Sequence, residues 1–255
     1  MLWIVLALVL LYFFMICPNL KRKDFSALKG KRYAHRGLHD GNRKVWENMP
    51  EAFRLAHEKG LGVELDIQCS KDGVVMVFHD ETLNRVLNIP GKLNEKTAAE
   101  LKDLGVPTFR EVLDILVDAP LIVEVKGHGD WQTATEKAAA YLRDYPGPWC
   151  MESFYPQVLM YLKKHHPHII RGQLALSGDI RKQGYSVLNF VQKHLLHLCL
   201  SRPDFVAYEL GPKPLSWLIM KHIFRLPMAC WTVKGAEKEK LAAEQNYDMI
   251  IFEED

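Results

Sequence analysis

Apolar residues fall along the chain in two regimes. Residues 1–20, MLWIVLALVLLYFFMICPNL, carry no charged side chain and leave no polar face, which predicts a helix suited to hydrocarbon rather than to the flank of a core. Twenty helical residues span roughly 30 Å, the thickness of a bilayer's hydrocarbon, so the pattern predicts one N-terminal transmembrane helix. The segment lacks a basic start, and Phe13, Phe14, Met15 and Ile16 stand before Cys17, which argues against a cleaved signal peptide. Beyond it, short β-branched runs recur at 61–67, 74–78, 121–125, 205–208, 228–232 and 249–252, and helical patterns occupy 50–59, 108–117, 131–144, 156–165, 215–224 and 236–245. Strands alternating with helices predict a parallel sheet with crossovers.

The local punctuation agrees with this reading. Thr97 and Thr108 each precede a glutamate three residues on, Glu100 and Glu111, as in capping boxes. Pro156 suits a first helical turn, Gly60 a helix stop, and Asp72-Gly73 a tight turn before a strand. Residues 185–200 read as helical although Lys193, His194 and His197 interrupt them. His194 and His197 could share a helix face as ligands, but side chains at a core edge are the commoner reading, as for the His165, His166 and His168 cluster. No linker or repeat divides the remainder. The expected organisation is an anchor at 1–20, a basic juxtamembrane segment at 21–31 and one α/β domain at 32–255.

The 255 residues include 33 Lys and Arg against 31 acidic groups, a net charge of +2, which gives no general reason to expect a nucleic-acid partner. The basic charge that matters is local: Lys21, Arg22, Lys23, Lys29, Lys31 and Arg32 follow the apolar segment, opposed only by Asp24. The positive-inside rule then places a single-pass protein in the cell membrane with its large domain in the cytoplasm, and the same run can lie on anionic headgroups. Five widely spaced cysteines without a C-x-x-C pair suit free thiols.

Polar residues interrupt apolar strands at His35-Arg36-Gly37, Glu64-Leu65-Asp66, His79-Asp80 and Glu124-Val125-Lys126. Glu64 and Asp66 sit two apart on a strand and share a face, where two carboxylates repel unless a cation or proton lies between them. A hard divalent cation resolves this, with Glu124 as a third oxygen ligand and no cysteine present, so Mg²⁺ or Ca²⁺ fits better than structural zinc. A buried ion-pair network of Glu64, Asp66, Glu124 and Lys126 explains each pair equally well. His35 and His79 tip the balance, because imidazoles at strand ends can exchange protons with an alcohol. Arg36 offers a planar fork for phosphate, and Gly37 a sharp turn beside it.

These strings, in order, resemble the glycerophosphodiester phosphodiesterase family, and more narrowly a bacterial, membrane-anchored member. AHRG stands at 34–37, EN at 47–48, EAF at 51–53, GVELDIQCSKDGVVMVFHDETLNR at 62–85, PTFREVL at 107–113, IVEVKG at 122–127, ESF at 152–154 and WTV at 231–233. The resemblance implies a TIM barrel with its site at the C-terminal strand ends. It implies that His35 and His79 act as acid and base, that Glu64, Asp66 and Glu124 hold one divalent cation, and that Arg36 and Lys126 contact phosphate. The implied reaction releases glycerol 3-phosphate and an alcohol from glycerophosphodiesters through a cyclic phosphate. The apolar segment at 1–20, which would engage the bilayer, adds the expectation of a lipid substrate such as a lysophospholipid.

Trp46, Met49, Lys234 and the ending Ile250-Ile251-Phe252-Glu253 depart from the family pattern and bear on substrate preference. No eighth outer helix follows the last predicted strand, so cover by 21–31, by 185–200 or by a partner is expected. A helix at 215–224 could rest on a bilayer through its apolar side, but packing on strands is the stronger expectation. Two other readings remain: a catalytically inactive, membrane-tethered barrel that binds phosphate ligands, and a phosphoinositide-type phospholipase of the same architecture. Oligomeric state is not legible.

Overall fold

The structure is a computed structural model and describes residues 1–178 and 186–254. Among these, nine strands form one sheet: β1 Lys31–His35, β2 Gly62–Cys69, β3 Val75–Val77, β4 Leu121–Val125, β5 Trp149–Ser153, β6 Arg171–Ala175, β7 Phe205–Glu209, β8 Met228–Val233 and β9 Met249–Phe252. Their order is β1-β9-β8-β7-β6-β5-β4-β2-β3, and β1 also pairs with β2. Eight parallel strands therefore close on themselves, while β3 folds back antiparallel on β2. The expected TIM barrel is present.

Side-chain parity divides each strand between two cores. Leu121, Val123 and Val125 point outward into one cluster under the helices, while Ile122 joins Tyr33, Cys150, Leu174, Phe205, Ala207, Ala229, Met249 and Ile251 inside the barrel. Phe25 and Leu28, from the segment ahead of β1, close this interior from the base, with the Phe25 and Phe205 rings 5.3 Å apart. The basic segment thus belongs in part to the barrel core.

The outer layer contains α2 Pro50–Glu58, α4 Ala98–Asp103, α5 Phe109–Leu116, α6 Trp131–Arg143, α7 Pro156–His165, α8 Val187–Lys193, α9 Leu198–Ser201, α10 Leu215–Leu218 and α11 Ala236–Glu244, with a short helical turn α3 at Asn84–Leu87. Both capping boxes form, proline opens α2 and α7, and Gly60 follows α2 at φ 65°. The single helix expected at 215–224 is α10 followed by a wider π turn at Ile219–Ile223. Its Trp217, Ile219 and Met220 are buried, so this element packs on the barrel. The helix expected at 185–200 is instead α8 and α9, and Tyr185 lies outside the described residues.

One expectation needs correction. The first helix, α1, covers Leu2–Ile16, fifteen residues rather than twenty, because Cys17 precedes Pro18 and takes an extended conformation that disfavours further helix. Fifteen residues rise only about 22 Å, and no helix among the described residues is long and apolar enough to cross a membrane. Beside the last strand, Arg32 of β1 lies over the Phe252 ring at 4.3 Å and pairs with Glu239 of α11, and from the segment 21–31 Gly30 N donates to Asp248 O at 2.7 Å, just ahead of β9.

Candidate active site

The inward parity that fills the barrel with apolar groups ends, at the C-terminal strand ends, in polar ones. His35 closes β1, Glu64 and Asp66 lie on β2, Glu124 and Lys126 on and just past β4, Glu152 on β5, and Glu253 follows β9. The turn after β1 is held by backbone contacts: Arg36 N donates to Glu64 O at 2.8 Å, and Asn48 N donates to Arg36 O at 2.8 Å. Arg36 itself sits at φ 57°, a conformation that costs a non-glycine residue free energy. Gly37 follows at φ 80°, and a Cβ there would meet Ala52 Cβ at 2.8 Å, so the turn requires glycine on two counts. His79 arrives from the other side, where Phe78 N donates to Asp66 O at 2.9 Å.

Glu64, Asp66 and Glu124 bring carboxylate oxygens within 4.8 Å of one another, all buried. Lys126 Nζ lies between two of them, 2.6 Å from Asp66 Oδ1 and 2.8 Å from Glu124 Oε1. Asn48 Nδ2 donates to Asp66 Oδ2 at 2.8 Å. Burial, followed by the charges of Asp66 and Glu124, raises Glu64 well above the usual carboxylate range. Burial likewise brings Glu124 to about 7 against the opposing pull of Lys126. Glu152 is raised by burial and by Glu124, and its Oε2 has no hydrogen-bond partner among the described residues. Asp66 runs the other way: burial would raise it, but Lys126, His79 and Arg36 together hold it well below its ordinary value. Four buried carboxyl groups thus face one buried cation, Lys126, and one half-buried one, Arg36. That acidic excess, with oxygen donors alone, fits a hard divalent cation on Glu64, Asp66 and Glu124.

Each histidine is held through Nδ1 by a carboxylate. His35 Nδ1 is 2.8 Å from Glu253 Oε1, and its Nε2 is 3.8 Å from Glu64. His79 Nδ1 is 2.5 Å from Asp80 Oδ1, and Asp80 is gripped in turn by Arg85 at 2.7 Å. Burial lowers both imidazoles, outweighing Glu253 beside His35 and Asp66 beside His79. In each ring Nε2 is left for proton exchange. Glu253 is pulled down to about 2, chiefly by the His35 hydrogen bond.

The expected phosphate ligands are less open than the sequence suggested. Arg36 Nη1 binds Glu47 at 2.7 Å and its Nε lies 3.5 Å from Asp66, while Lys126 is engaged as described. Glu47 also takes two bonds from Arg85, at 2.8 and 2.6 Å. Glu47, Glu152, Glu253, Asp80 and Arg85 belong to this constellation and were not singled out as site residues. Motif strings contained Glu47 and Glu152, but only strand parity could have pointed Glu152 and Glu253 inward. Elsewhere, His166 pairs with Glu136, and His165 and His194 stack on Tyr161 and Phe190, so these histidines are structural.

A cavity of 40 Å³ lies between the two histidines and over Glu64, Glu124 and Glu152, backed by Phe154, Leu174, Trp231 and Ile251. It opens past His79 and Glu124 beside a cleft of 500 Å³, whose walls include Phe154, Tyr155, Leu176 and Leu188. A small polar chamber below a broad, partly apolar cleft suits a substrate with a compact reacting end and a larger appendage.

Comparison with known proteins agrees with this geometry. A glycerophosphodiester phosphodiesterase from Caldanaerobacter subterraneus subsp. tengcongensis is 31% identical over 62% of this chain and 74% of its own. Glycerophosphodiester phosphodiesterase 1 of Rattus norvegicus is 29% identical over 90% of this chain and 77% of its own. The solved glycerophosphodiester phosphodiesterase of Thermotoga maritima superposes with a TM-score of 0.65 at 27% identity, over 87% of this chain and 93% of that one. An Oleispira antarctica phosphodiesterase, solved with its product sn-glycerol-3-phosphate, shares the fold with a TM-score of 0.69 at 19% identity, over 88% and 93% of the two chains. The model of the glycerophosphoryl diester phosphodiesterase family matches residues 35–254, from His35 of β1 past Glu253, and the chain belongs to that family.

Proposed function

We propose that this protein hydrolyses glycerophosphodiesters to glycerol 3-phosphate and an alcohol, with a hard divalent cation, Mg²⁺ or Ca²⁺, on Glu64, Asp66 and Glu124, and with His35 and His79 exchanging protons. The observation that carries the reading is the carboxylate trio within 4.8 Å, flanked by two imidazoles each fixed through Nδ1 by a carboxylate. The cation, when bound, supplies Lewis acidity at oxygen.

The protein's own groups account for the remaining steps. Glu253 and Asp80 hold the two rings in the tautomer that carries its proton on Nδ1 and leaves Nε2 to act. One imidazole takes the proton of the glycerol hydroxyl beside the phosphoester, and that oxygen attacks phosphorus. The other, entering the step as an imidazolium with a second proton on Nε2, donates that proton to the departing alcohol, and the roles reverse as water opens the cyclic phosphate. Arg36 and Lys126 offset the phosphate charge. Phe154 and Trp231, whose rings meet edge to face at 5.5 Å, shield the chamber from bulk water.

Residues 1–20 support attachment to a bilayer, since most side chains of α1 are exposed and apolar on every side, and the basic residues that follow suit anionic headgroups. Such attachment favours lysophospholipids within the substrate class. The test is hydrolysis of glycerophosphocholine in ¹⁸O-labelled water, followed by ³¹P NMR. A transient cyclic phosphate and one label in glycerol 3-phosphate are expected; label in the released choline would refute attack at phosphorus.

A further inference from the structure

The mouth of the barrel is bordered by apolar groups that the catalytic reading does not use. Val187, Leu188 and Phe190 of α8 are 82, 63 and 48% exposed, and no residue of α8 is buried. The helix is nonetheless seated at the site: Leu188 and Gln192 line the 500 Å³ cleft together with His79, Glu124, Lys126 and Tyr155, and Lys193 O accepts from Tyr208 Oη at 3.1 Å. Three large apolar side chains held in water at the rim of a cleft need an apolar occupant.

The course of α1 identifies that occupant. Its foot is tied to the base of the barrel, where Asn19 N donates to Pro203 O at 2.9 Å, Asn19 Nδ2 donates to Asp204 Oδ1 at 2.6 Å and Arg202 Nη1 donates to Cys17 O at 2.7 Å. These partners immediately precede β7. Tyr12, further back along α1, faces Ser216, in the first turn of α10, which follows the mouth end of β7. The helix therefore rises from the base toward the mouth side, and its fifteen residues, about 22 Å of helix, are long enough to bring its N-terminal end to the level of the mouth. Those residues are apolar and, for the most part, exposed. Charge agrees as well: residues 186–193 carry no acidic side chain and end in Lys193, as an anionic lipid surface would require.

We propose that the active-site mouth rests on a lipid bilayer, with α1 inserted beside it and the apolar side chains of α8 dipping into the boundary between headgroups and acyl chains, so that the site draws a lysophospholipid directly from the membrane. The proposal rests on the phosphodiesterase reading for its chemistry and adds the surface and the source of substrate. Val187 and Phe190 do not line the cleft, so the double variant Val187→Ser/Phe190→Ser leaves the chamber intact.

The experiment uses the full chain and two substrates: soluble glycerophosphocholine in buffer, and lysophosphatidylcholine in vesicles containing phosphatidylglycerol. The variant is expected to hydrolyse glycerophosphocholine as wild type does and to lose about tenfold or more in kcat/KM on the vesicle substrate. Equal turnover of the vesicle substrate by both proteins overturns the proposal. Absence of glycerophosphocholine hydrolysis by wild type would instead refute the phosphodiesterase reading. As a readout independent of turnover, fluorescence of the Phe190→Trp protein should shift to the blue on adding those vesicles and be quenched by brominated acyl chains. No quenching overturns the proposal, as does a wild-type dimer in buffer that Val187→Ser/Phe190→Ser dissociates, since a second copy would then occupy the patch.

Discussion

Glu253 offers a sharp test of how the site is organised, because its contribution to the account is one hydrogen bond. Its Oε1 lies 2.8 Å from His35 Nδ1, and the carboxylate is held down to about 2, mainly by that bond. Glu253→Gln keeps the shape and removes the charge, and its amide can present either a donor or an acceptor to the ring. A hydrogen bond to a charged group contributes about 1.5–3 kcal/mol, so with a tenfold rate change per 1.36 kcal/mol the expected loss in kcat is about 10- to 150-fold. KM for glycerophosphocholine should stay within about threefold, because Glu253 does not line the chamber and binding energy shared by ground and transition states is then unaffected. The pH profile should move too. The Glu253 charge raises the affinity of His35 for a proton, so without it the acid limb of kcat/KM shifts to lower pH. Steady-state rates from a coupled glycerol 3-phosphate assay between pH 5 and 9 decide the matter. A Glu253→Gln enzyme with wild-type kcat and an unmoved acid limb would show that the carboxylate does not orient His35.

Other consequences follow from the same structure. Glu124 sits at about 7, above its value in an unfolded chain, so protons compete for it below neutral pH. The apparent affinity for Mg²⁺ or Ca²⁺ should weaken about tenfold per unit as pH falls below 7, and calorimetry in buffers of different ionisation enthalpy should detect proton release on binding at pH 6.5; pH-independent affinity would contradict the assignment of Glu124 as a ligand. Phe25 closes the barrel from below against Phe205, so Phe25→Ala should lower unfolding free energy by about 3–5 kcal/mol in urea titration, and a loss under 1 kcal/mol would place the segment outside the core. Gly37→Ala introduces both an unfavourable φ and a clash with Ala52; about 2 kcal/mol or more of lost stability, read from thermal unfolding, is expected.

Much of the barrel could be read from sequence because its buried strands are apolar runs, and 121–125 and 249–252 coincide with β4 and β9. Three strands carry no apolar run, for a shared reason. β1 is KRYAH, β5 is WCMES and β6 is RGQLA, and each spends inward or helix-facing positions on polar groups. Gln173 of β6 is fully buried yet bonds Ser201 and the backbone of β5, a pattern that hydrophobicity alone conceals. The candidate site was legible where polar residues broke an apolar strand, as at Glu64 and Asp66. Glu253 was not, because its partner His35 lies 218 positions away in sequence and only barrel closure brings them together. The N-terminal segment misled in length, since a single proline at 18 ends the helix that composition would have extended.

The central claim is that the buried carboxylate trio and the two histidines form one hydrolytic centre. Its most direct test is release of glycerol 3-phosphate from glycerophosphocholine by wild type and His79→Ala, each with added Mg²⁺ or Ca²⁺ and again after EDTA. The account predicts turnover by the metal-loaded wild type, abolition by EDTA with recovery on adding metal back, and a fall of about 10²- to 10⁴-fold in the variant. Turnover that survives both EDTA and the loss of His79, or a wild type inert with either metal, would contradict it.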